Sequence, residues 1–465
     1  MLLCCLYFIT GVQEVYDSDQ PVSSLLRVCY CKYMISPRLL QGFRDYLPAD
    51  MRVRQRTLDV VRGVYELYGF EPLDTPALEY AELLMGKYGE DEKLIYHFTD
   101  AGDREVALRY DLTVPLARVV AMHQELPKPF KRYQIAPVWR ADSPQRGRFR
   151  EFLQFDADIV GSALPLADAE MILLIARTME TLGLKHYRIR VNHRGVLSAV
   201  LNTLEVSHTD RTLVMRQIDK LEKVGAKVVQ AELKKVMAEK HIQQLFELFD
   251  IKKSADLLHR LATLLESNKE HLEELARFSE VVQLCQHEGL ESHLELDLSI
   301  VRGLEYYTGI IYEVWLSDKP EYGSMAGGGR YDQLMKNLAG VDMPAVGISL
   351  GVDRLLSAVA EQSSNEHASM CVMSVFEGYE KPALDLSEKL RSHGVAISVA
   401  LNHQKIGKQL QYADAIGASV VLLYGEQEIS QNKVKLRNMK TGEQKEYSVE
   451  PIDDLVTALK EPGNK

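Results

Sequence analysis

The sequence contains few cysteines that could cross-link a fold, and it lacks the long apolar runs that cross a membrane. Only six of its 465 residues are cysteine, and four of these lie within the first 31 positions. The two others, Cys285 and Cys371, fit neither a zinc cluster nor a disulfide framework, so we expect a reducing compartment. No apolar run reaches the roughly 18 residues that a membrane span needs, and we therefore expect no membrane partner.

A surplus of basic residues is also absent. The chain has 55 Lys and Arg against 66 Asp and Glu, a net charge of −11, which excludes binding of nucleic acid by bulk positive charge. No GxxxxGK[ST] motif occurs, which disfavours a P-loop fold. His123, His193 and His208 lack metal-ligand spacing, so we interpret them as structural or surface residues and expect no metal-ligating side chains.

We interpret residues 1–36 as a disordered extension. The alternative is that synthesis of the protein starts at Met34. The apolar start lacks the preceding basic residue and the cleavage site of a secretory signal. Three acidic residues at positions 14–19 argue against a mitochondrial presequence, whereas three basic residues at positions 27–38 leave it open. We expect a cytoplasmic protein and leave an additional mitochondrial pool as an alternative.

Hydrophobic spacing predicts the order of the elements. A helix should run from Pro48 to Gly69, with Asp50 as its N-cap and Gly69 just past its end. Residues 130–161 predict two long strands around a loop, and residues 226–288, which contain neither glycine nor proline, predict helices only. Strand and glycine signals return over residues 294–350 and end in a helix from about Val352 to Ala360. After a polar linker, three short apolar runs predict a small βαβ domain.

A local basic cluster stands out in this acidic chain. Residues 128–150 contain seven basic side chains against one acid, Asp142. Alternation on a strand puts two of these basic residues and four residues that follow them on one face: Arg148, Arg150, Phe152, Gln154, Asp156 and Asp158. Guanidinium groups, a flat ring, an amide and carboxylates would suit a nucleotide together with an amino acid. The alternative is a solvated strand face with satisfied ion pairs.

The glycine triplet Gly327–Gly329 has two interpretations. It is not the strand-to-helix GxGxxG of a Rossmann fold. It could form a tight turn, or it could let the backbone approach a bound ligand closely. Local sequence does not separate the two.

Four ordered motifs resemble those of a known family. Residues 41–48 (QGFRDYLP), the stretch from Val138 to Gln154, and residues 347–354 (GISLGVDR) look like motifs of class II aminoacyl-tRNA synthetases. Residues 301–309 (VRGLEYYTG) are similar to the signature of histidyl-tRNA synthetases. HIGH-like and KMSKS-like signatures of class I are absent.

The resemblance implies an α+β fold, an antiparallel sheet flanked by helices with a helical insertion and a C-terminal α/β anticodon-binding domain. It assigns residues 37–200 and 291–362 to the catalytic core, 201–290 to the insertion and 370–465 to the anticodon-binding domain. It also implies a homodimer, with the region near Tyr65 to Pro76 at the interface.

The implied reaction is that of a histidine–tRNA ligase, which uses ATP and Mg²⁺. Histidine and ATP give histidyl-adenylate and pyrophosphate, and the acyl group then passes to the 3′ end of tRNA(His). Arg140 and Arg302 resemble the catalytic arginines. The resemblance assigns ATP binding to Arg140, Arg148, Phe152 and Arg354.

The resemblance also implies a histidine pocket. Asp111, Thr113 and Gln154 look like ammonium binders, Asp158 and Tyr307 like imidazole readers, and Arg302, Tyr306 and Tyr331 line the pocket. Gln145 is the candidate contact to the tRNA acceptor end. Bacterial members commonly have glutamate where Asp111 and Asp158 stand, which changes the pocket geometry but not the roles.

The alternative function is a synthetase-like regulatory or RNA-binding protein that has lost the reaction. Such proteins typically lose the catalytic arginines or the anticodon domain. Here Arg140, Arg302 and Arg354 are all present, which favours the ligase.

Overall fold

A large, mainly antiparallel sheet is the centre of the N-terminal part of the chain. The computed structural model describes residues 36–86, 89–143, 149–251, 253–301, 307–340, 342–359, 371–402 and 404–460. In chain order the strands up to residue 351 are β1 (Glu71–Pro72), β2 (Leu78–Tyr80), β3 (His97–Thr99), β4 (Glu105–Leu108), β5 (Phe130–Trp139), β6 (Glu151–Val160), β7 (Tyr187–His193), β8 (Leu294–Leu296), β9 (Ile310–Leu316), β10 (Ser324–Arg330) and β11 (Ala345–Gly351).

Eight of these strands form the large sheet in the order β1-β5-β6-β11-β10-β9-β7-β8. Only the two edge pairs, β1 with β5 and β7 with β8, are parallel. β2, β4 and β3 form a separate antiparallel sheet. The predicted pair of long strands over residues 130–161 is therefore confirmed as β5 and β6, whose loop includes residues 144–148, outside the described part.

Helices cover the sheet and supply most of the core. They are α1 (Pro48–Leu67), α2 (Ala81–Leu84), α3 (Thr113–Met122), α4 (Pro165–Thr181) and α5 (Arg194–Thr203), followed after the insertion by α12 (Asp332–Ala339) and α13 (Val352–Val359). Four apolar residues of α4 are fully buried in the largest cluster: Met171, Ile172, Leu174 and Ile175. The expected α+β architecture with flanking helices is confirmed.

The start of α1 corrects one prediction. Leu47, not Asp50, occupies the N-cap position, and Asp50 lies inside the first turn. Pro48 stands at the first helical position, where its missing N–H costs no hydrogen bond and its fixed φ suits the helix. At the other end Gly69 has φ of +77°, which confirms its predicted place just past the C-cap.

The stretch between the two parts of the large sheet is helical. Its elements are α6 (His208–Asp219), α7 (Leu221–Val224), α8 (Ala226–Leu233), α9 (Glu239–Asp250), α10 (Ser254–Leu265) and α11 (Lys269–His287). Buried apolar residues at helical spacing, such as Leu257, Leu261 and Leu265 on α10, join the main cluster. The prediction of an all-helical module over residues 226–288 is confirmed, because every regular element in the described part of this stretch is a helix, joined to the next by a short turn.

The C-terminal part has its own sheet and core. Its elements are β12 (Cys371–Met373), α14 (Glu380–Ser392), β13 (Ile397–Val399), α15 (Ile406–Ala415), β14 (Val420–Leu423), α16 (Glu426–Ser430), β15 (Lys433–Asn438), β16 (Gln444–Ser448) and α17 (Asp453–Lys460). β12 pairs in parallel with both β13 and β14, so the predicted βαβ arrangement is confirmed. Across the described residues, no helix is both long and apolar enough to span a bilayer.

One buried carboxylate ties several of these elements together. Asp353, in the first turn of α13, is 2% exposed. Its Oδ1 accepts hydrogen bonds from Arg44 Nη2 at 3.0 Å and from the hydroxyl of Tyr46, and its Oδ2 accepts from the backbone N–H of Leu153 at 2.7 Å. The guanidinium of Arg54, on α1, lies 3.5 Å away. Asp353 therefore joins the segment before α1, α1 itself, β6 and α13.

We predict that Asp353→Ala lowers the free energy of unfolding by about 3 kcal/mol, because it leaves two partly buried guanidinium groups, a tyrosine hydroxyl and a backbone N–H without their shared acceptor. Urea unfolding followed by fluorescence measures the loss. Asp59→Ala is the matched control, since Asp59 pairs with Arg62 on the exposed face of α1 and should change stability by at most about 1 kcal/mol. Equal losses in both variants would contradict the linking role of Asp353.

Candidate active site

A cleft of about 790 Å³ lies on one face of the large sheet. Its walls come from β6, β9, β10 and β11, from the first turn of α13 and from the insertion helices α6 and α7. Nine of the residues expected to bind ATP or histidine line it: Asp111, Thr113, Arg140, Phe152, Gln154, Asp158, Tyr307, Tyr331 and Arg354. The fold thus brings residues that lie far apart in the sequence into one cavity.

Four other expected site residues cannot be compared with this geometry. Gln145, Arg148, Arg302 and Tyr306 lie outside the described residues. Their roles remain predictions.

Arg140 and two aromatic rings form one wall of the cleft. Arg140 directly follows β5, and its Nε donates a hydrogen bond to the carbonyl oxygen of Tyr110 at 3.1 Å. Its guanidinium carbon lies 4.3 Å from the ring centroid of Tyr110 and 5.2 Å from that of Phe152. The Phe152 ring is backed by the buried residues Ala136 and Val138. A fixed cation beside a supported flat ring suits a phosphate next to a planar base.

Arg354 reaches the cleft from another part of the chain. β11 runs directly into α13, so Arg354 lies in the first turn of that helix. Its Nη1 donates a hydrogen bond to the carbonyl oxygen of Ser324, at the start of β10. This contact holds the second guanidinium at the cleft, next to the carboxylate of Asp353 that anchors the same turn.

The alternating side chains of β6 form the floor of the cleft. Phe152, Gln154, Asp156 and Asp158 all line it, as the strand alternation predicts. Gln154 is 7% exposed and both aspartates are 2% exposed. The alternative of a solvated strand face is therefore wrong for Gln154, Asp156 and Asp158, since a wet face would leave such side chains largely exposed.

Asp158 is held by two partners. Its Oδ2 lies 2.7 Å from Nη2 of Arg132, and its Oδ1 accepts a hydrogen bond from the hydroxyl of Tyr331. Burial raises the pKa of Asp158, while the charge of Arg132 and the Tyr331 hydrogen bond act in the opposite direction. Arg132 and Tyr331 together hold the Asp158 carboxylate in a defined orientation at the floor of the cleft.

The basic cluster of residues 128–150 is not one polyanion surface. Arg132 is fully buried in its pair with Asp158, and Nη2 also donates to the carbonyl oxygen of Leu112 at 3.1 Å. Lys131 pairs with Glu170, on α4. Counting charges along the sequence missed these partners because both lie elsewhere in the chain.

The glycine-rich strand makes room for this floor. Gly327–Gly329 lie within β10, so the interpretation as a tight turn is wrong. A Cβ on Gly328 would come within 2.0 Å of the carbonyl oxygen of Gly347, on the neighbouring strand. A Cβ on Gly347 would come within 1.9 Å of Oδ1 of Asp158. Glycine is needed here by the approach of neighbouring strands and of a site carboxylate.

Asp111 and Thr113 lie where the chain enters α3. Oδ1 of Asp111 accepts hydrogen bonds from the backbone N–H groups of Thr113 at 3.1 Å and Val114 at 3.0 Å. These bonds satisfy N–H groups at the start of the helix and fix the carboxylate at the cleft.

Three residues at or next to the cleft floor were not assigned roles from the sequence. Arg132 was counted only as one of the seven basic residues of 128–150, Asp156 was placed on the correct strand face without a role, and Ser349 was given no role. The register of β6 and β11, which sets Ser349 opposite Asp156, is the signal that identifies the third.

Comparison with known proteins agrees with the motifs. A family model described as histidyl-tRNA synthetase matches residues 42–355, and one described as an anticodon-binding domain matches residues 369–461. A histidine–tRNA ligase of Helicobacter pylori is 39% identical over 424 residues, covering 88% of this chain and 96% of that protein. One of Aeropyrum pernix is 40% identical over 433 residues, covering 91% and 98%.

Solved structures give the same result. The crystal structure of histidyl-tRNA synthetase from Nostoc sp. PCC 7120 superimposes with a TM-score of 0.81 at 32% identity, covering 92% of this chain and 99% of that one. The antiparallel sheet, its cleft and the C-terminal α/β unit define a class II aminoacyl-tRNA synthetase. Within that class, the chain belongs to the histidyl-tRNA synthetase family and functions as a histidine–tRNA ligase.

We predict that Gly347→Ala raises the KM for histidine at least about tenfold, because the added Cβ must displace the Asp158 carboxylate. The KM for ATP should change less. Histidine-dependent ATP–pyrophosphate exchange measures both values. Gly63→Ala, on α1 with open space around the added methyl, is the control. An unchanged KM for histidine in Gly347→Ala would show that Asp158 does not contact this substrate.

Proposed function

We propose that the cleft holds ATP and histidine together, that it forms histidyl-adenylate, and that it then esterifies the 3′ end of tRNA(His). One observation carries this assignment of the cleft. Arg140 and Arg354, from separate motifs, line the same cavity as the Gln154–Asp158 floor. Two fixed cations suit a triphosphate, and the buried amide and carboxylates suit an amino acid with a hydrogen-bonding side chain.

The ATP part of the proposal assigns Arg140 to the α-phosphate and Arg354 to the γ-phosphate. Phe152 stacks on adenine, and Arg148 contacts the phosphates. The reacting oxygen of the histidine carboxylate attacks the α-phosphorus, and pyrophosphate leaves with the bonding electron pair. Arg140 and Arg302 stabilise the charge that builds on the α-phosphate oxygens, so catalysis consists of positioning and electrostatic stabilisation without a covalent enzyme intermediate.

The histidine part assigns the imidazole to Asp158 and Tyr307, and the ammonium group to Asp111, Thr113 and Gln154. Tyr306, Tyr331 and Arg302 complete the pocket. Two hydrogen-bonding partners for the two ring nitrogens exclude side chains of similar size, because an apolar ligand would leave buried polar groups without partners. The hydrogen bond from Tyr331 to Asp158 supports a fixed orientation of this carboxylate.

Mg²⁺ is expected to enter with ATP. Within the residues described, no group of three or more His, Cys, Asp or Glu side chains is arranged to hold a metal ion. The cleft does offer single carboxylates, among them Glu313, which Trp315 Nε1 holds through a hydrogen bond of 2.8 Å. This fits Mg²⁺, which takes one or two carboxylates together with substrate phosphates and waters. When bound, the ion would neutralise charge on the phosphates.

Replacement of the arginines tests the assignment. We predict that Arg140→Ala, Arg302→Ala and Arg354→Ala each lower histidine-dependent ATP–pyrophosphate exchange by about 100-fold or more, because each removes a positioned cation from the developing charge. Arg62→Ala is the control, because Arg62 pairs with Asp59 on the exposed face of α1, and it should keep wild-type exchange. If one of the three variants kept the wild-type exchange rate, that arginine would not belong to the site. If the wild-type protein showed no histidine-dependent exchange, the proposed function would be contradicted.

The tRNA is the proposed macromolecular partner. The C-terminal unit, which we delimit as residues 370–465, would bind the anticodon, and Gln145 would contact the acceptor end. Residues 37–200 and 291–362 would form the catalytic core and 201–290 the insertion. We further propose a cytoplasmic enzyme, with a mitochondrial pool only if residues 1–36 act as a presequence.

A homodimer is also part of the proposal. The small sheet turns three large apolar side chains of one face outwards: Leu78, Tyr80 and Phe98 are 44%, 57% and 46% exposed. Leu67, at the end of α1, is 87% exposed. Leu67 lies within the Tyr65–Pro76 region that the family uses for its interface, and β2, which carries Leu78 and Tyr80, follows that region directly. An apolar sheet face of this kind is typical of a surface covered by a partner, here a second copy.

We predict that Phe98→Glu shifts the protein from dimer to monomer at micromolar concentration, because it buries a charge in the proposed interface. Light scattering coupled to size-exclusion chromatography measures the mass. Leu401→Glu, an equally drastic change at a residue 89% exposed in the C-terminal unit, is the control. A wild-type monomer, or an undisturbed Phe98→Glu dimer, would contradict this interface.

A further inference from the structure

Three buried acceptors on the cleft floor have no hydrogen-bond donor among the described residues, and one of them, Oδ2 of Asp158, instead lies 2.7 Å from the Arg132 guanidinium. The other two are Oε1 of Gln154 and Oδ1 of Asp156. Both side chains line the cleft, and they are 7% and 2% exposed. Leaving a buried polar atom without a partner is unfavourable, so these two acceptors at the floor of a cavity indicate that a ligand donates to them.

Ser349 fixes the orientation of both acceptors. It lies directly opposite Asp156 in the register of β6 and β11. Its Oγ accepts a hydrogen bond from Nε2 of Gln154 at 2.6 Å, and its hydroxyl lies on the side of the Asp156 carboxylate, whose pKa it lowers. A hydroxyl has a single proton, so once it accepts from the amide it can donate to the carboxylate. The chain of donors therefore runs from Gln154 through Ser349 to Asp156.

This chain selects one of the two orientations of the Gln154 amide. In the observed orientation the NH₂ group faces Ser349, and the carbonyl Oε1 remains for the ligand. In the reversed orientation Ser349 would donate its proton to Gln154, and Asp156 would lose that donor. The NH₂ group would then face the cleft, where it would repel a cationic ligand.

The charge of Asp156 also calls for a cation. Burial raises the pKa of Asp156 to about 7, against the lowering influence of Arg132, and the neighbouring Asp158 raises it further. Arg132 is already paired with Asp158 at 2.7 Å. Asp156 therefore has no paired guanidinium of its own, and a ligand ammonium beside it would stabilise its charged form.

We propose that Ser349 is a positioning residue that aims Gln154 Oε1 and Asp156 Oδ1 at one ligand ammonium group, and that Asp156 supplies its counter-charge. This inference rests on the proposed histidine site and deepens it. It adds Asp156 and Ser349 to the residues that select an α-amino acid, as distinct from those that read the imidazole.

Ligands with and without the ammonium group test the proposal by calorimetry. Histidine and histidinol carry it, whereas imidazole-4-propionate keeps the ring and the carboxylate and lacks it. We expect Ser349→Ala to weaken binding of histidine and histidinol about tenfold, and Asp156→Asn about tenfold or more. Binding of imidazole-4-propionate should change less than about twofold in Ser349→Ala.

Two further variants separate positioning from a general structural role. Ser349→Thr keeps the hydroxyl on a strand and should retain histidine affinity within about threefold. Ser357→Ala makes the same change on α13, where the hydroxyl bonds only to the carbonyl oxygen of Asp353, and should bind all three ligands as the wild type does. Asp156→Asn preserves shape, so it tests the charge even if Ser349→Ala fails to fold.

The outcomes are distinct. Wild-type affinity for histidine in Ser349→Ala and Asp156→Asn would overturn the inference while leaving the ligase site intact. Equal losses for all three ligands would also overturn it, because they would report a collapsed pocket. A wild-type protein that binds no histidine and supports no exchange would contradict the proposed function itself.

Discussion

The cleft depends on keeping the carboxylate of Asp158 in the interior of a β-sheet. A carboxylate that is 2% exposed is stable only with partners, and Arg132 and Tyr331 are those partners. Arg132 is itself fully buried, so the two residues need each other. Gly347 completes the arrangement, since any side chain there would occupy the position of Asp158 Oδ1. Residues from β5, β6, β11 and the end of β10 must therefore assemble together before the floor exists.

Much of this could be predicted from sequence because some of its determinants are local. Side chains alternate along a strand, so Phe152, Gln154, Asp156 and Asp158 had to share one face whatever the rest of the fold. The lack of glycine and proline over residues 226–288 likewise favoured helices without reference to any partner. The motif resemblance added the antiparallel arrangement of the sheet, the anticodon-binding domain and the reaction, which no periodicity could have supplied.

Two of the errors share a cause in contacts between residues that are distant in the chain. Arg132 was counted in the basic cluster of residues 128–150 without its partner Asp158, which lies 26 positions away on the neighbouring strand. The glycine triplet gave no local sign that the backbone of β11 lies against it. Asp50 failed as an N-cap for a local reason: Pro48 could begin the helix earlier. Each burial or close approach was set by a strand or residue that sequence proximity does not reveal.

The helical insertion, which lies in sequence between the two parts of the large sheet, also contributes residues to the cleft. Asp219, Glu222 and Lys223 line it from the insertion side. Arg190, on β7, lies 2.5 Å from Oε1 of Glu222 and donates through Nε to Oδ2 of Asp297 at 2.9 Å, so it connects the sheet to the insertion. A substrate in the cleft would thus contact both parts of the chain.

A reaction that proceeds by positioning needs cationic groups that do not reorganise during the step. Asp353 meets this need at both walls of the cleft. Asp353 lies in the same helical turn as Arg354. It also accepts a hydrogen bond from the N–H of Leu153, and so fixes β6 between Phe152 and Gln154, the chain neighbours of Leu153. A displacement of α13 would therefore move β6 as well, so the two cationic walls and the floor keep their spacing. The geometry of the cleft is a property of this shared anchor more than of any single arginine.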